Sequence, residues 1–387
     1  MIARRALLLA ALLAGPAAWA RPRPGRLDIR AIERRRLTPQ ADALRAAVPR
    51  TTAAVAAPRS PAGRHDYYSE GDYWWPDPAN PGGPYIRRDG RSNPDKFDGH
   101  REALIAFGRT VPALAALWDL TDEARFADAA MRHLAAWFVD PKTRMNPNLN
   151  HAQAIIGVNT GRAIGVIDTL QIVEVARAAA LFARRDAPGY AAIRADVEGW
   201  FTAYLDWLTT SPFGTTERDE KNNHGTCWLL QVASFAALLG RQDILADART
   251  RLQAIIIPTQ ITPDGRQPLE LARTKPYAYA LFNLDVLAAS AWLLGGRELI
   301  DWQTQDGRSI GGAIAWMAPF IADKTKWPLP PDIEYWDGFP VRQPSLLFGG
   351  LARGRADWLD LWRRLNPDPV IGEVVRNFPV RQPLLWL

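Results

Sequence analysis

Lys221-Asn222-Asn223-His224-Gly225-Thr226-Cys227-Trp228 joins a polar, turn-rich segment, residues 211–220, to an apolar run. From Trp228 the large residues recur at Leu229, Val232, Phe235, Ala236 and Leu239, the stripe of a half-buried helix. Asn222 is placed to cap that helix, its side-chain oxygen available to the orphan amides of the first turn. Asn223 and His224 then stand at a helix start and face whatever lies beyond that end. An amide donor beside an imidazole, both on a rigid element, suits proton abstraction next to a carboxylate. Taken alone, His224 reads as readily as a hydrogen-bonded cap residue.

Working outward, the same pattern repeats. Helix pairs are expected at 102–120 with 122–138, 168–185 with 190–208, 222–239 with 243–256, and 277–294 with 309–322, Pro112 kinking the first. The second helices share an apolar stripe: Phe126, Ala130, His133 and Trp137 in one, Ile193, Val197, Trp200, Tyr204 and Leu208 in the next. His133 therefore reads as a core histidine. Strand patterns are scarce, and repeated hairpins of similar length point to an all-α (α/α) toroid, an incomplete barrel with long rim loops. Each second helix is followed by a polar connection. These hold Asn146, Asn148, Asn150 and His151; then Asn222, Asn223 and His224; then Glu270 and Arg273, leading to Tyr277 and Tyr279; then Asp332, Glu334, Tyr335, Trp336 and Arg342. In an up-down array, connections of one parity emerge at one end, so the four clusters are expected on one rim around one cleft.

The remainder bounds the answer. Residues 1–20 read as a secretory signal, with Arg4 and Arg5, an apolar stretch from Ala6 to Ala14 and a small-x-small site at Ala18-Trp19-Ala20, which implies a periplasmic or secreted protein. The apolar run is too short to span a bilayer well, and no later segment reads as long enough, so no membrane partner is expected. Removing the leader's two arginines takes Lys+Arg from 47 to 45 against 41 Asp+Glu, a net charge of +4. That mild excess of base suits a polyanion, while the lack of a dense basic stripe or binding signature argues against nucleic acid. Cys227 is the only cysteine, read as a buried apolar residue, so size must supply the stability. The five histidines are scattered without metal-ligand spacing, so neither metal nor cofactor is expected. Residues 21–60 read as a basic, extended lead-in with one short helix near 41–48, followed by a single domain over 61–387. Within that domain, 66–98 is too rich in Pro and Gly for a helix and reads as an aromatic, arginine-bearing lid.

Cutting a 4-linked polyuronate by β-elimination requires that the carboxylate be neutralised, the C5 proton removed and the departing O4 protonated. Asn223 and His224, with Arg273 or Arg342, suit the first task, an arginine through a bidentate fork. Tyr279 suits proton handling, its hydroxyl oriented by Asn283 one helical turn on. A tyrosine near basic groups also loses its proton more readily.

These residues carry a resemblance. Asn222-Asn223-His224, the run from Leu269 through Glu270, Arg273 and Lys275 to Tyr279 and Asn283, and Val341-Arg342-Gln343-Pro344-Ser345 are similar to the alginate lyase family. Tyr73-Trp74-Trp75-Pro76-Asp77-Pro78 and Met145-Asn146-Pro147-Asn148-Leu149-Asn150-His151 resemble a branch of it that includes glucuronan lyases. The resemblance implies an (α/α) toroid and metal-independent elimination on an acidic polysaccharide. It also implies Asn223 and His224 at the acidic sugar, Tyr279 as the proton-handling residue and Arg273 beside it. Asn148, His151, Asn222, Glu334, Trp336 and Arg342, with Tyr73, Trp74 and Trp75 in the lid, are the expected substrate contacts. In the better-known mannuronate-cleaving branch the arginine-to-tyrosine spacing is one residue longer and would fall on Ala280, so Tyr277 stands in reserve. Two other classes remain open: an α/α-toroid glycoside hydrolase using Asp66 or Asp72 with Asp332 or Glu334, and a non-catalytic sugar-binding protein.

Overall fold

The computed structural model describes residues 27–387; the expected leader lies outside the described residues. The helix that opens at Asn223 runs to Leu238, and the Asn222 side chain accepts from the His224 amide at 3.1 Å, as the capping argument requires. It is one of five inner helices. Gly99–Thr121, Val173–Arg184, Asn223–Leu238, Pro276–Gly295 and Pro344–Arg353 pack in succession, each against the next. Ala124–Leu134, Tyr190–Thr210, Gln242–Arg251, Ile310–Ala322 and Ala356–Arg364 form the outer layer. The fold is an all-α (α/α) toroid. The fifth pair adds a hairpin to the four read from the sequence.

The inner helices are apolar almost all round because both faces are covered. Gly99–Thr121 and Pro276–Gly295 are in fact long and apolar enough to cross a membrane, contrary to the expectation drawn from the sequence. Most of each is buried inside the ring, which demands the same composition as a bilayer. Outer helices carry a one-sided stripe instead: Phe126, Ala130 and His133 face inward, and the His133 ring meets the Ala47 carbonyl.

Several local expectations change. The lead-in is not extended, because Ile29–Leu37 is a helix capped by Asp28 that buries Ile32, Glu33 and Leu37. The polar segment before Asn222 contains a helix, Pro212–Arg218, capped by Ser211. The stretch expected as one helix from 168 begins as a 3-10 turn, Ala163–Ile172, before the α-helix. The lid is not free of strands: β1 (Tyr68–Glu70) pairs in parallel with β4 (His151–Ala154), and β2 (Trp74–Trp75) pairs antiparallel with β3 (Ile86–Arg87). At the other end of the chain, residues 376–386 run alongside the 3-10 segment Ala163–Ile172 and helix Val173–Arg184. Gln171 donates to the Arg376 carbonyl, Glu174 accepts from the Arg381 and Gln382 amides and the Trp386 indole, and Arg177 donates to the Leu385 carbonyl.

Candidate active site

A cleft of about 230 Å³ opens at one end of the ring. Four inner helices bring their N-terminal ends to it, carrying Arg101, the Asp168–Gln171 approach, Asn223 with His224, and Tyr279. Helix N-termini present unpaired amides and a positive dipole end, a field that favours an anion.

Asn223 is fixed from below. Both its backbone N–H and its side-chain amide donate to the Glu270 carboxylate at 2.7 Å, leaving the amide's second N–H for a ligand. His224 is held from behind by Glu217, which the helix Pro212–Arg218 carries in; Nδ1 lies 2.8 Å from a carboxylate with no exposed surface. Nδ1–H donation to the acid leaves Nε2 as the ring's free nitrogen. Burial would push the imidazole down, but Glu217, by charge and hydrogen bond, with Glu220 and Glu270 behind it, outweighs burial and holds it above its ordinary value.

Opposite stands a pair of phenols. The Tyr279 and Tyr73 hydroxyls are 2.7 Å apart, and Arg273 Nη2 donates to the Tyr279 oxygen at 3.0 Å with its guanidinium 4.1 Å from the ring centroid. Burial raises both phenols; Arg273 and Lys275 pull Tyr279 the other way, but burial with Tyr73 dominates, so the resting pair is neutral. Tyr73 comes from the lid, which is latched to the rim: Asp89 takes hydrogen bonds from Arg273 at 3.0 Å and from Thr274 at 3.1 Å. Beneath the lid, Asp72 is held far below the usual carboxylate range: burial would raise it, but Arg101, Arg376 and Lys96 prevail. Arg162 stacks over Trp74 and donates to Gln153, completing the far wall.

The structure thus brings together Asn222, Asn223, His224, Arg273, Tyr279, Tyr73 and Trp74. It does not bring Arg342 to the cleft, since that guanidinium pairs at 3.0 Å with Glu33 of the N-terminal helix and lies over Trp362. Asn148 caps its own turn at the Asn150 amide, and His151, at the start of β4, meets the Thr160 carbonyl. Glu334 accepts from the Ser92 amide of the lid, Trp336 packs on Tyr277 and Lys324, and Trp75 donates to the Arg91 carbonyl. None of these five lines the cleft. Tyr277 is buried and donates to the Phe320 carbonyl, and Asn283 bonds Gln260 and Gln267 rather than orienting Tyr279. Carboxylates for a hydrolase are committed elsewhere. Asp66 receives Asn146, Asp72 is ion-paired, and Asp332 accepts from the Tyr277 and Ala278 amides.

Sequence reasoning missed Glu217, Lys275, Arg162 and Arg376. Lys275 sat inside a quoted motif; Glu217 lies in a helix that the polar composition concealed; Arg376 comes from a segment remote in sequence. Among the described residues, no three His, Cys, Asp or Glu side chains stand together where a metal ion could be held.

A model of the alginate lyase family matches residues 51–327. An alginate lyase from Bacteroides ovatus is similar in structure, 30% identical, covering 92% of this chain and 93% of its own, with a TM-score of 0.78. A variant of alginate lyase A1-III complexed with a tetrasaccharide is 16% identical, covers 92% of this chain and 94% of its own, and has a TM-score of 0.57. Alginate lyase A1-III from Sphingomonas species A1 is 17% identical over 86% of this chain and 88% of its own, with a TM-score of 0.52; at such identities the likeness is one of fold. No curated protein matches the chain.

Proposed function

Because the chain belongs to the alginate lyase family of polysaccharide lyases, we propose that it cleaves a 4-linked β-polyuronate, mannuronan or glucuronan, by β-elimination without a metal ion. The single observation that carries the reading is the meeting, across one cleft, of the Tyr73–Tyr279–Arg273 cluster and the Asn223–His224 pair. The tetrasaccharide bound by the A1-III variant supports an oligosaccharide as the occupant here.

Glu217 favours the imidazolium form of His224, so that His224 and the free N–H of Asn223 neutralise the uronate carboxylate and stabilise the charge that develops on it. Arg273 leaves Asp89 for the same carboxylate or stays on the Tyr279 oxygen, and in either place stabilises negative charge. With the imidazole occupied as a cation, the base is a phenol: the fraction of Tyr279 that has lost its proton to solvent takes the C5 proton and passes it to O4 as the C4–O4 bond breaks and the C4=C5 double bond forms. One group can do both only where the two atoms lie on the same ring face, as in β-linked mannuronate and glucuronate. Guluronate, with the atoms on opposite faces, would need His224 as base. Trp74, Arg162 and Arg87 extend the site along the chain of the polymer, and export by the leader would put the enzyme where such polymers are met.

Purified protein incubated with polymannuronate, polyglucuronate and polyguluronate, with and without a chelator, tests this through the ultraviolet absorbance of the unsaturated ends. Expected are absorbing products from a β-linked polymer, unaffected by chelation, and a loss of roughly 10²–10⁴-fold in Tyr279→Phe with substrate binding retained. New reducing ends without absorbance would replace elimination by hydrolysis.

A further inference from the structure

Lys275 precedes the inner helix Pro276–Gly295 and is buried, its side chain only 3% exposed. Its ammonium nitrogen lies 5.3 Å from the Tyr73 ring centroid, 5.9 Å from that of Tyr279 and 5.3 Å from that of Tyr335. Among the described residues its one hydrogen-bond partner is Glu373, at 2.9 Å, a carboxylate delivered from 98 residues further along the chain by the short helix Gly372–Arg376. Glu373 is in turn held by Arg376, and Arg376 by Asp72, the lid residue next to Tyr73.

A buried ammonium with a single anion costs desolvation that a hydrophobic residue would avoid. Ordinary packing does not explain its position among three aromatic rings. We propose that Lys275, clamped by Glu373, is a positioning residue for the reaction: the fixed cation that stabilises phenolate on the Tyr73–Tyr279 pair when it acts as base. The inference rests on the reading of Tyr279 as the proton-handling residue. Lys275 touches no reacting atom; it acts through the electrostatic potential at the two oxygens. The other charged and titratable groups around that pair are Arg273 and Asp89 at the rim, Asp72 in the lid, Glu373 and Arg376 in the C-terminal helix, and Asp332 and Tyr335 in the late loop. Of these, Arg273 is shared with Asp89 at the rim and Arg376 is shared between Asp72 and Glu373, whereas Lys275, with Glu373 as its one acid, stands 5.3 Å and 5.9 Å from the two ring centroids.

The test is Lys275→Met, which preserves length and apolar contacts and leaves Glu373 with Arg376, compared with Lys275→Arg, Glu373→Gln and Tyr279→Phe, all as the full chain. If activity needs phenolate on Tyr279 and a cation on His224, kcat/KM is flat between an acid limb set by the imidazole and an alkaline limb set by the phenol. Lys275→Met should then lower the flat region about tenfold or more, move the alkaline limb to higher pH, and converge with the parent beyond it. KM should stay within about twofold. Lys275→Arg should recover most of the rate, and Glu373→Gln should fall between. Ultraviolet titration without substrate should show the tyrosine that is absent in Tyr279→Phe ionising at higher pH in Lys275→Met. A loss equal at every pH with an unmoved alkaline limb would mean a structural role and overturn the inference. So would parent-like activity in Lys275→Met. Activity surviving in Tyr279→Phe would instead bring down the proposed function itself, whatever Lys275 does.

Discussion

Replacing Glu217 by Gln separates two roles for His224 by the sign of the change. The amide can still accept the Nδ1 hydrogen, so the ring keeps its place while the charge behind it is removed. That carboxylate is wholly buried and 2.8 Å from the ring, so screening by water is slight. A hydrogen bond to a charged partner is worth about 1.5–3 kcal/mol, and loss of its charge makes the imidazolium about 10- to 100-fold harder to form. If His224 works as a cation while Tyr279 works as phenolate, the flat region of kcat/KM falls by that same factor. The acid limb moves to lower pH, and below it the variant and the parent converge, because both are then fully protonated at the ring. If His224 works as a neutral base, removing the acid frees it: the flat region holds, and activity at acid pH rises above the parent. Initial rates of unsaturated-product formation across pH, at substrate well below KM, read this directly. A gain on the acid side without loss on the plateau would refute the cation role and move the substrate preference toward guluronate. The pair also affects stability. The imidazole is held above its unfolded value of 6.5, so its contribution is complete below that value and fades as pH rises through the folded one.

Two further outcomes follow from the geometry. Arg342→Ala should leave KM and kcat near the parent and lower the melting temperature, costing about 1–3 kcal/mol for the bond to Glu33 and the contact with Trp362; a large rise in KM would place it at substrate after all. Asp285, on an inner helix and pushed up to about 7 by burial, ionises near 3.8 when unfolded. Below the lower value it costs nothing. Between the two the unfolded chain loses a proton that the folded one keeps, and stability declines by up to a few kcal/mol, with no further change above. Asp285→Asn should flatten that decline, seen as a smaller fall in melting temperature from about pH 4 to pH 7; a parent-like slope would refute the assignment.

The ring was legible because its inner helices must be apolar on both faces and its outer ones on a single face, and those periods survive in Trp228 to Leu239 and Phe126 to Trp137. Parity of the connections placed His224, Arg273 and Tyr279 at one rim, and the structure shows them there. Parity failed for Arg342 because it says which end a loop leaves from, not what else docks there; the helix Ile29–Leu37, hidden in a basic stretch, supplies Glu33. Asn283 failed as the partner of Tyr279 for a related reason. Spacing along one helix names a neighbour, but the phenol's oxygen found a nearer partner in Tyr73, from the lid. Glu217, Glu373 and Arg376 had no periodic signal, since each belongs to a helix of seven residues or fewer whose position is set by tertiary contacts.

The electrostatics of the cleft follow from one continuous alternation of charge. Asp168 meets Arg101, Arg101 meets Asp72, Asp72 meets Arg376, Arg376 meets Glu373, and Glu373 meets Lys275. Such a chain contributes little to stability compared with well-packed apolar side chains, so its presence needs another cause. Its members come from a connection, an inner helix, the lid, the C-terminal helix and the start of another inner helix, so each charge fixes an element that supplies the site. It ends on a cation under two phenols, and across the cleft a second, shorter arrangement of Glu217 and His224 ends on an imidazole, held above its ordinary value by the acid behind it, facing the same space. Acids lie behind and bases in front on both sides. In the proposed reaction, a uronate between them exchanges water for the Lys275 ammonium, the His224 imidazolium and four helix N-termini, an environment that stabilises the dianionic character of an elimination intermediate more than the singly charged substrate. That difference is what accelerates a reaction. Removing an acid behind either cation should therefore slow turnover more than it weakens binding, and equal effects on kcat and KM would contradict this account.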